Sequence, residues 1–396
     1  MMVCIRKRFF NSNRLLLAPF GLWPGEETIF TRFQATLLCS FLIGSIVFQL
    51  SRLFIAECNF DFITRIFSYM SLFVMFTSLS VVLWIHMETM KYLFDQLQYI
   101  YDRLKDRNEI AIYDKYGYIG NHITTTIITL VVCGLCGTSV ILYYWPFIFD
   151  IIVSKNESYA IHTMQFVSEY FNVSEKYCVL LFMHWTASGT IGLIAFTGAG
   201  TMVLSYFQHI CGMFEIASYR IEQAMAIELL HNFHIKNGIV ICRKMICAID
   251  IQRQAMELAT HFITSMEGPV FVMVITTVLS MTCNLFRLFQ IESPMERMIE
   301  ILFHLWAVFF ILVILFLANY VGQEVIDHSN HVYIITYNVS WYLAPLHIQK
   351  LILFLLERSH KIFTLSAGGL FTASIECFVT LVKVSMSYFT FMYSIQ

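Results

Sequence analysis

Charge is scarce in this sequence. Asp, Glu, Lys and Arg make up 13% of its 396 residues, against about 25% in soluble globular proteins, which excludes an ordinary water-soluble domain. The charge that is present has no dominant sign: 25 basic residues stand against 27 acidic ones, so nothing points to a nucleic-acid partner. No nucleophile motif, metal-ligand cluster or phosphate-binding loop is found. An enzyme reading therefore has little support, and no cofactor is expected. The internal repeats of a transporter are missing too. After Arg6-Lys7-Arg8 the apolar run Leu15 to Phe20 is too short for a signal-peptide core. The 11 cysteines are odd in number and scattered. Cys133 and Cys136 lie in an apolar run with no ligands nearby and read as small packing residues. The pairs His231/His234 and His328/His331 read as loop histidines rather than metal ligands.

What is abundant is apolar. Hydrophobic residues make up 58% of the chain, with 37 Phe, 20 Tyr and 20 Met. A hydrocarbon core about 30 Å thick needs roughly 20 mostly apolar residues per helix, and seven segments qualify: 34–55, 64–87, 121–148, 177–208, 264–289, 299–321 and 367–393. The fold class is an all-α membrane protein with seven transmembrane helices. Lys and Arg set its orientation. With the N-terminus inside, eighteen of them fall in cytoplasmic segments. Only Arg52, Arg65, Lys155, Lys176, Arg287 and Arg297 fall outside, as the positive-inside rule requires. The sequons at Asn156 and Asn172 share the third connector, outside in this topology, whereas a third at Asn338 is inside.

The cytoplasmic connectors carry helical apolar stripes. One, within 88–108, joins Met90, Leu93, Phe94, Leu97, Tyr101 and Leu104, and another joins Ile348, Leu351, Ile352 and Leu355. Region 209–263 is long enough for two helices extending the fourth and fifth spans, with Asn237-Gly238 as their turn. Gly268-Pro269 should bend the fifth span. These helices either lie on the membrane surface or pack together. The chain thus divides into a cytoplasmic segment 1–33, a six-helix bundle 34–321 with cytoplasmic helices 88–120 and 209–263, a cytoplasmic region 322–366, and a last helix 367–396.

The last helix has an unusual face. Glu376, Thr380, Lys383, Ser387, Thr390 and Ser394 recur at gaps of four and three, a heptad stripe, while Phe378, Leu381, Val384 and Phe389 lie opposite. A charge at mid-bilayer costs at least about 2.5–3.5 kcal/mol and usually faces a bundle interior or a water path. Two readings stay open. Several copies could line a pore with this stripe; or the hydroxyls bond their own carbonyls and Lys383 pairs with Glu376.

The carboxyl-terminal region resembles the signature of insect odorant receptors. Trp341-Tyr342, Pro345, Gln349-Lys350, Arg358-Ser359, Ser366-Ala367-Gly368-Gly369, Ser374-x-Glu376 and Lys383-x-Ser385-x-Ser387-Tyr388-Phe389 carry the likeness, with "GQEVIDHSN" at 322–330. The specific match covers roughly the last 75 residues. The resemblance implies a ligand-gated, non-selective cation channel of four subunits in the plasma membrane of olfactory sensory neurons. In it, odour-tuning subunits assemble with a shared olfactory co-receptor around a pore lined by the seventh helix. It implies Ser387, Thr390 and Ser394 facing permeating cations, Phe391 at the gate, and Lys383 below the narrow region or turned toward Glu376. The short connector between spans four and five and the tail Tyr393-Ser394-Ile395-Gln396 depart from the co-receptor pattern, so the chain resembles the variable, odour-tuning subunit. The alternatives are a gustatory-type channel, whose tail motif is absent, and a G-protein-coupled-type chemoreceptor, whose external N-terminus would put Asn156 and Asn172 in the cytosol.

A volatile, mostly apolar ligand needs a cavity of aromatics and Met with one or two polar groups. The candidates on the outer halves of spans two, three, four and six are Phe73, Phe76, Gly137, Ile141, Tyr144, Met183, His184, Ala187, Phe303 and Trp306. Tyr144 and His184 could each donate a hydrogen bond; ordinary packing or lipid contact is the alternative for every one.

Overall fold

A backbone crossing a bilayer must satisfy its N–H and C=O groups internally, and this chain does so with long helices. The computed structural model describes residues 4–26, 28–55, 60–153, 175–226, 235–291, 298–360, 363–367, 369 and 371–395. Two short N-terminal helices, α1 (Ile5–Phe9) and α2 (Asn11–Leu17), precede α3 (Ile29–Ile55), α4 (Phe60–Ile85), α5 (Met87–Arg103) and α6 (Arg107–Val153). Then follow α7 (Glu175–Ala224), α8 (Ile235–Gln290), α9 (Met298–Asn338), α10 (Leu346–His360) and α11 (Ile375–Ile395). Seven of these, α3, α4, α6, α7, α8, α9 and α11, are long and apolar enough to cross a membrane. This is a multi-pass membrane fold, with the expected number of spans.

Four helices run far beyond a single crossing. At about 1.5 Å per residue, α7 and α8, of 50 and 56 residues, reach about 75 and 84 Å. The expected connectors are thus continuations of the spans, and the ends of α6, α7, α8 and α9 gather into one projecting bundle. The stripe on α5 is buried at Met90, Leu93, Phe94, Leu97 and Ile100. It packs on protein. Phe94 meets Phe10 edge-on with ring centroids 4.8 Å apart, and Arg8 pairs with Asp114 of α6 at 3.0 Å. Leu16 and Leu17 of α2 press on Gly198 of α7, where a side chain would collide with them. On α10, Ile348, Ile352 and Leu355 are buried.

Two expectations need correction. Asn237-Gly238 does not turn the chain: both lie in the first turn of α8, where helix geometry tolerates Gly. The segment 227–234 preceding it lies outside the described residues. The last span does not begin at 367. Ser366–Ala367 and Phe371–Thr372 form an antiparallel ribbon instead. Gly369 sits between these strands with φ of 68°, a left-handed conformation that glycine adopts without a steric penalty. The helix starts only at Ile375. Pro269 stands inside α8, which runs on past it. The glycosylation candidates Asn156 and Asn172 fall outside the described residues.

Candidate ligand cavity and exposed terminal helix

Three features lie along the axis of the bundle. At the end where α3 gives way to α4, an aromatic box forms from Tyr69 of α4, Trp185 of α7 and Phe303 of α9. The Tyr69 ring lies 4.5 Å from Phe303 and 5.6 Å from Trp185, and Trp185 and Phe303 are 5.7 Å apart. The Trp185 Nε1 is shut off from solvent and has no hydrogen-bond partner among the described residues. The rings continue inward: Phe73 meets Phe76, and Phe76 meets Phe196 and Phe310 at 5.6 and 6.2 Å. Small residues on α7 make room for this column, since a side chain on Gly192 would strike Phe76 at 2.8 Å.

Behind the box is a buried polar network, unusual inside an apolar bundle. Arg287 of α8 donates to Glu300 of α9 at 2.8 Å and pairs with Asp61 of α4. Arg65 supports Asp61 at 3.2 Å. Glu300 lies 3.8 Å from His304 Nε2, whose Nδ1 is 2.9 Å from Asn284 Oδ1. Asn284 donates to the Ser280 carbonyl at 2.7 Å, and Ser71 donates to the Ser280 hydroxyl at 2.7 Å. The chain of polar contacts ties α4, α8 and α9 together, and the His304 ring lies 5.4 Å from Tyr69.

Below the column is a cavity of about 380 Å³ walled by α4, α6, α7, α8, α9 and α11, with Met266, Met273, Phe196, Trp306 and Phe310 among its lining. This is the size of pocket that small molecules occupy. Its threonines and its asparagine are already engaged. Thr197, Thr201 and Thr277 donate to their own helix carbonyls at 2.7, 2.7 and 2.6 Å, and Asn319 donates to the Leu315 carbonyl at 2.8 Å. What remains is an apolar surface reaching Cys377 and Leu381 of α11.

The structure sorts the ten sequence candidates. Trp306 lines the cavity; Phe73, Phe76 and Phe303 belong to the aromatic column. His184 packs against Phe41 of α3, 4.7 Å between ring centres. Met183 and Ala187 share one face of α7, and that face is exposed, as is Gly137 on α6. The i,i+4 spacing establishes a common face but not its direction. The side chains of Ile141 and Tyr144 lie outside the described residues. Sequence reasoning missed Tyr69, Trp185, Arg287, Glu300 and His304. Glu300 and His304, one turn apart at the start of an apolar helix, were the available signal.

On α11 a narrow face is buried and much of the rest is exposed, including the apolar Val379, Val384 and Met386; Val384, expected on the packed face, does not lie there. Leu381, Ser385 and Phe389 are buried against α8 and α9. Thr282 donates to the Ser385 carbonyl at 3.3 Å, and Phe389 meets Phe289 at 5.1 Å. Lys383, Ser387, Thr390, Phe391 and Ser394 are all exposed, Phe391 to 62%. Thr380, Thr390 and Ser394 also donate to carbonyls one turn back, at 2.9, 2.9 and 2.8 Å, so back-bonding and a bare face coexist. Ser374 caps the helix by accepting from the Cys377 N–H at 3.2 Å. Asn319 Oδ1 and Gln323 Oε1 of α9 accept from the N–H groups of Ser374 and Ile375 at 3.2 and 3.4 Å. Gly322, between those two amides, touches Ala373 so closely that any side chain would collide with it.

Comparison with known proteins agrees with this architecture. The chain superposes on the insect olfactory receptor OR5 from Machilis hrabei in complex with eugenol at a TM-score of 0.75. That match is 13% identical and covers 99% of each chain. A second structure of the insect olfactory receptor OR5 from Machilis hrabei gives 0.71, again at 13% identity, over 98% of each chain. These likenesses establish a common fold. No curated protein sequence matches significantly. The profile of the 7tm odorant receptor family matches residues 59–386, most of the length, so the chain belongs to that family of odorant receptors.

Proposed function

We propose that the chain is the odour-tuning subunit of a ligand-gated, non-selective cation channel, assembled with an olfactory co-receptor in the plasma membrane of sensory neurons. One observation carries the channel reading: α11 buries one face against its own bundle and leaves bare the face bearing Lys383, Ser387, Thr390, Phe391 and Ser394. A lysine and three hydroxyls gain nothing from lipid. Around an axis shared by several subunits they line a water path, and the Phe391 ring narrows it. The apolar side chains Leu346, Leu353 and Phe354, exposed by 67%, 67% and 54% on α10, give neighbouring subunits a surface to cover.

The ligand in this reading is a small apolar molecule lying along the aromatic column, between the box and the cavity below it. OR5, the similar structure, was solved with eugenol, a compound of that size. The unpaired Trp185 Nε1 favours a ligand with one hydrogen-bond acceptor at its box end. The test is electrical. In cells expressing the chain with a co-receptor, Phe391→Ala should raise resting current or alter ion selectivity, whereas Trp306→Ala should shift odorant sensitivity and leave selectivity unchanged. A Phe391→Ala channel conducting like the parent would remove α11 from the pore.

A further inference from the structure

A second cavity, of about 510 Å³, opens at the far end of the projecting bundle, where the α5–α6 connection meets the end of α7 and the start of α8. Five cations line it: Arg103, Lys105, Arg220, Arg243 and Lys244. Three carboxylates accompany them, and each is already engaged. Glu109 holds Arg220 through two bonds of 2.7 and 2.9 Å. Asp106 accepts from the Tyr219 hydroxyl at 3.2 Å and from the Asn108 N–H at 3.0 Å. Asp250 accepts from Arg253 at 3.1 Å and Gln254 at 2.7 Å. Among the described residues, Arg103, Lys105, Arg243 and Lys244 have no carboxylate partner. Lys244 reaches only the Gln223 carbonyl, at 3.5 Å, and Arg103 lies over the Tyr99 ring at 5.4 Å. Between the cations runs an apolar strip of Ile100, Leu104, Val240 and Ile251.

We propose that this cavity binds a soluble polyphosphate, with clustered phosphate groups on Arg103, Lys105, Arg243 and Lys244. Four cations without a carboxylate partner, offset in part by Asp106, whose partners are uncharged, call for several negative charges on one molecule, and charge-assisted bonds of this kind are the strong ones. Helix length fixes the source. The candidate span of α7 runs from Leu180 to Ala224; with one bilayer face set at Leu180, Arg220 lies about 60 Å along the helix, against about 40–45 Å for a whole bilayer with its headgroups. A tilt of about 20° shortens this by only a few ångströms. The cavity therefore stands in water beyond the headgroups, out of reach of a lipid phosphate. Inositol polyphosphates and nucleoside triphosphates share the required chemistry. The proposal concerns a site remote from the odorant cavity and stands whether or not the channel reading holds.

The test uses the purified full-length chain in phosphatidylcholine nanodiscs, with inositol hexakisphosphate and ATP as separate probes. Parallel discs contain phosphatidylinositol bisphosphate. Saturable binding of at least one soluble probe, weakened by rising salt, is expected. Arg243→Gln/Lys244→Gln should lower affinity at least about tenfold, while Lys115→Gln, exposed elsewhere on α6, should leave it unchanged. Should the double variant fail to fold, Lys105→Gln, in the exposed α5–α6 connection, carries the same test. Absence of saturable binding, equal binding by the variants, or binding confined to the phosphoinositide discs would each overturn the proposal.

Discussion

Arg287 and Glu300 are each only 2% exposed, and their energetics are those of a buried pair. Removing both charges together costs little when apolar residues of similar volume replace them, whereas stranding one costs about 3–5 kcal/mol. Arg287→Met should destabilise the detergent-solubilised protein by up to that amount, since it takes from Glu300 the guanidinium bonded to it at 2.8 Å, whereas Asp61 keeps Arg65. Arg287→Met/Glu300→Leu should recover most of the loss. Thermal unfolding of the two variants side by side checks the sign of this difference. Trp185 offers a second residue-scale experiment. Trp185→Phe keeps a ring in the box and deletes the unpaired N–H, so odorants bearing a carbonyl or ether should lose about tenfold in potency. Their hydrocarbon analogues should lose little. That corresponds to about 1.4 kcal/mol for one buried hydrogen bond. Dose–response curves for matched pairs of ligands measure it.

At the scale of elements, the start of α11 is the informative join. Ser374 supplies its cap, and replacing a capping serine with alanine costs about 1 kcal/mol. Ser374→Ala should speed amide exchange in the first turn of α11 about fivefold, and Ser374→Asp should restore protection. Ser374, an N-cap residue type ahead of an apolar run, was present in the sequence, yet hydropathy alone starts this helix at 367. The apolar residues Leu370 and Phe371 count toward a span by composition, but Gly368-Gly369 before them favours a turn. Hydropathy sums over a window and is blind to φ. The stripes on α5 and α10 were legible because a 3.6-residue period leaves one solution for the buried face. The inward faces of α6 and α7 were not, because both are apolar nearly all round. There Gly189 and Gly192, set against Phe73 and Phe76, mark the contact better than the large residues do. The buried network was hidden for a related reason. Its members come from three helices far apart in the chain, and no local spacing reveals such a meeting.

For the whole molecule, the number of spans, the helical class and the family were all readable from composition, hydropathy and the carboxyl-terminal motifs. Orientation rests on charge asymmetry, and glycan mapping tests it without any odorant. With Asn156, Asn172 and Asn338 replaced singly by Gln, endoglycosidase-sensitive mobility should depend on Asn156 or Asn172 and never on Asn338. Dependence on Asn338 alone would turn the protein over. The gathered helix ends have a counterpart in energetics. Ion pairs join α1 to α5 and α6, and Phe10 packs its ring on Phe94 of α5, so the far ends of the spans are tied to one another.

Helix α9 touches both the cavity and α11. Trp306 and Phe310 line the cavity, and Asn319 and Gln323, about 20 and 26 Å further along at 1.5 Å per residue, grip the first turn of α11. A continuous helix is stiff over that length. If the cavity holds the ligand and α11 lines the pore, as proposed above, α9 would act as a lever between them, joined to the first turn of α11 by two side-chain amides. The clamp has no slack at Gly322, where backbone meets backbone. A tilt of a few degrees at Trp306 would therefore arrive at Ser374 as displacement rather than be absorbed by side-chain rearrangement. On that reading, sensitivity would follow from where the fulcrum lies along α9, and efficacy from how tightly Asn319 and Gln323 hold the first turn of α11.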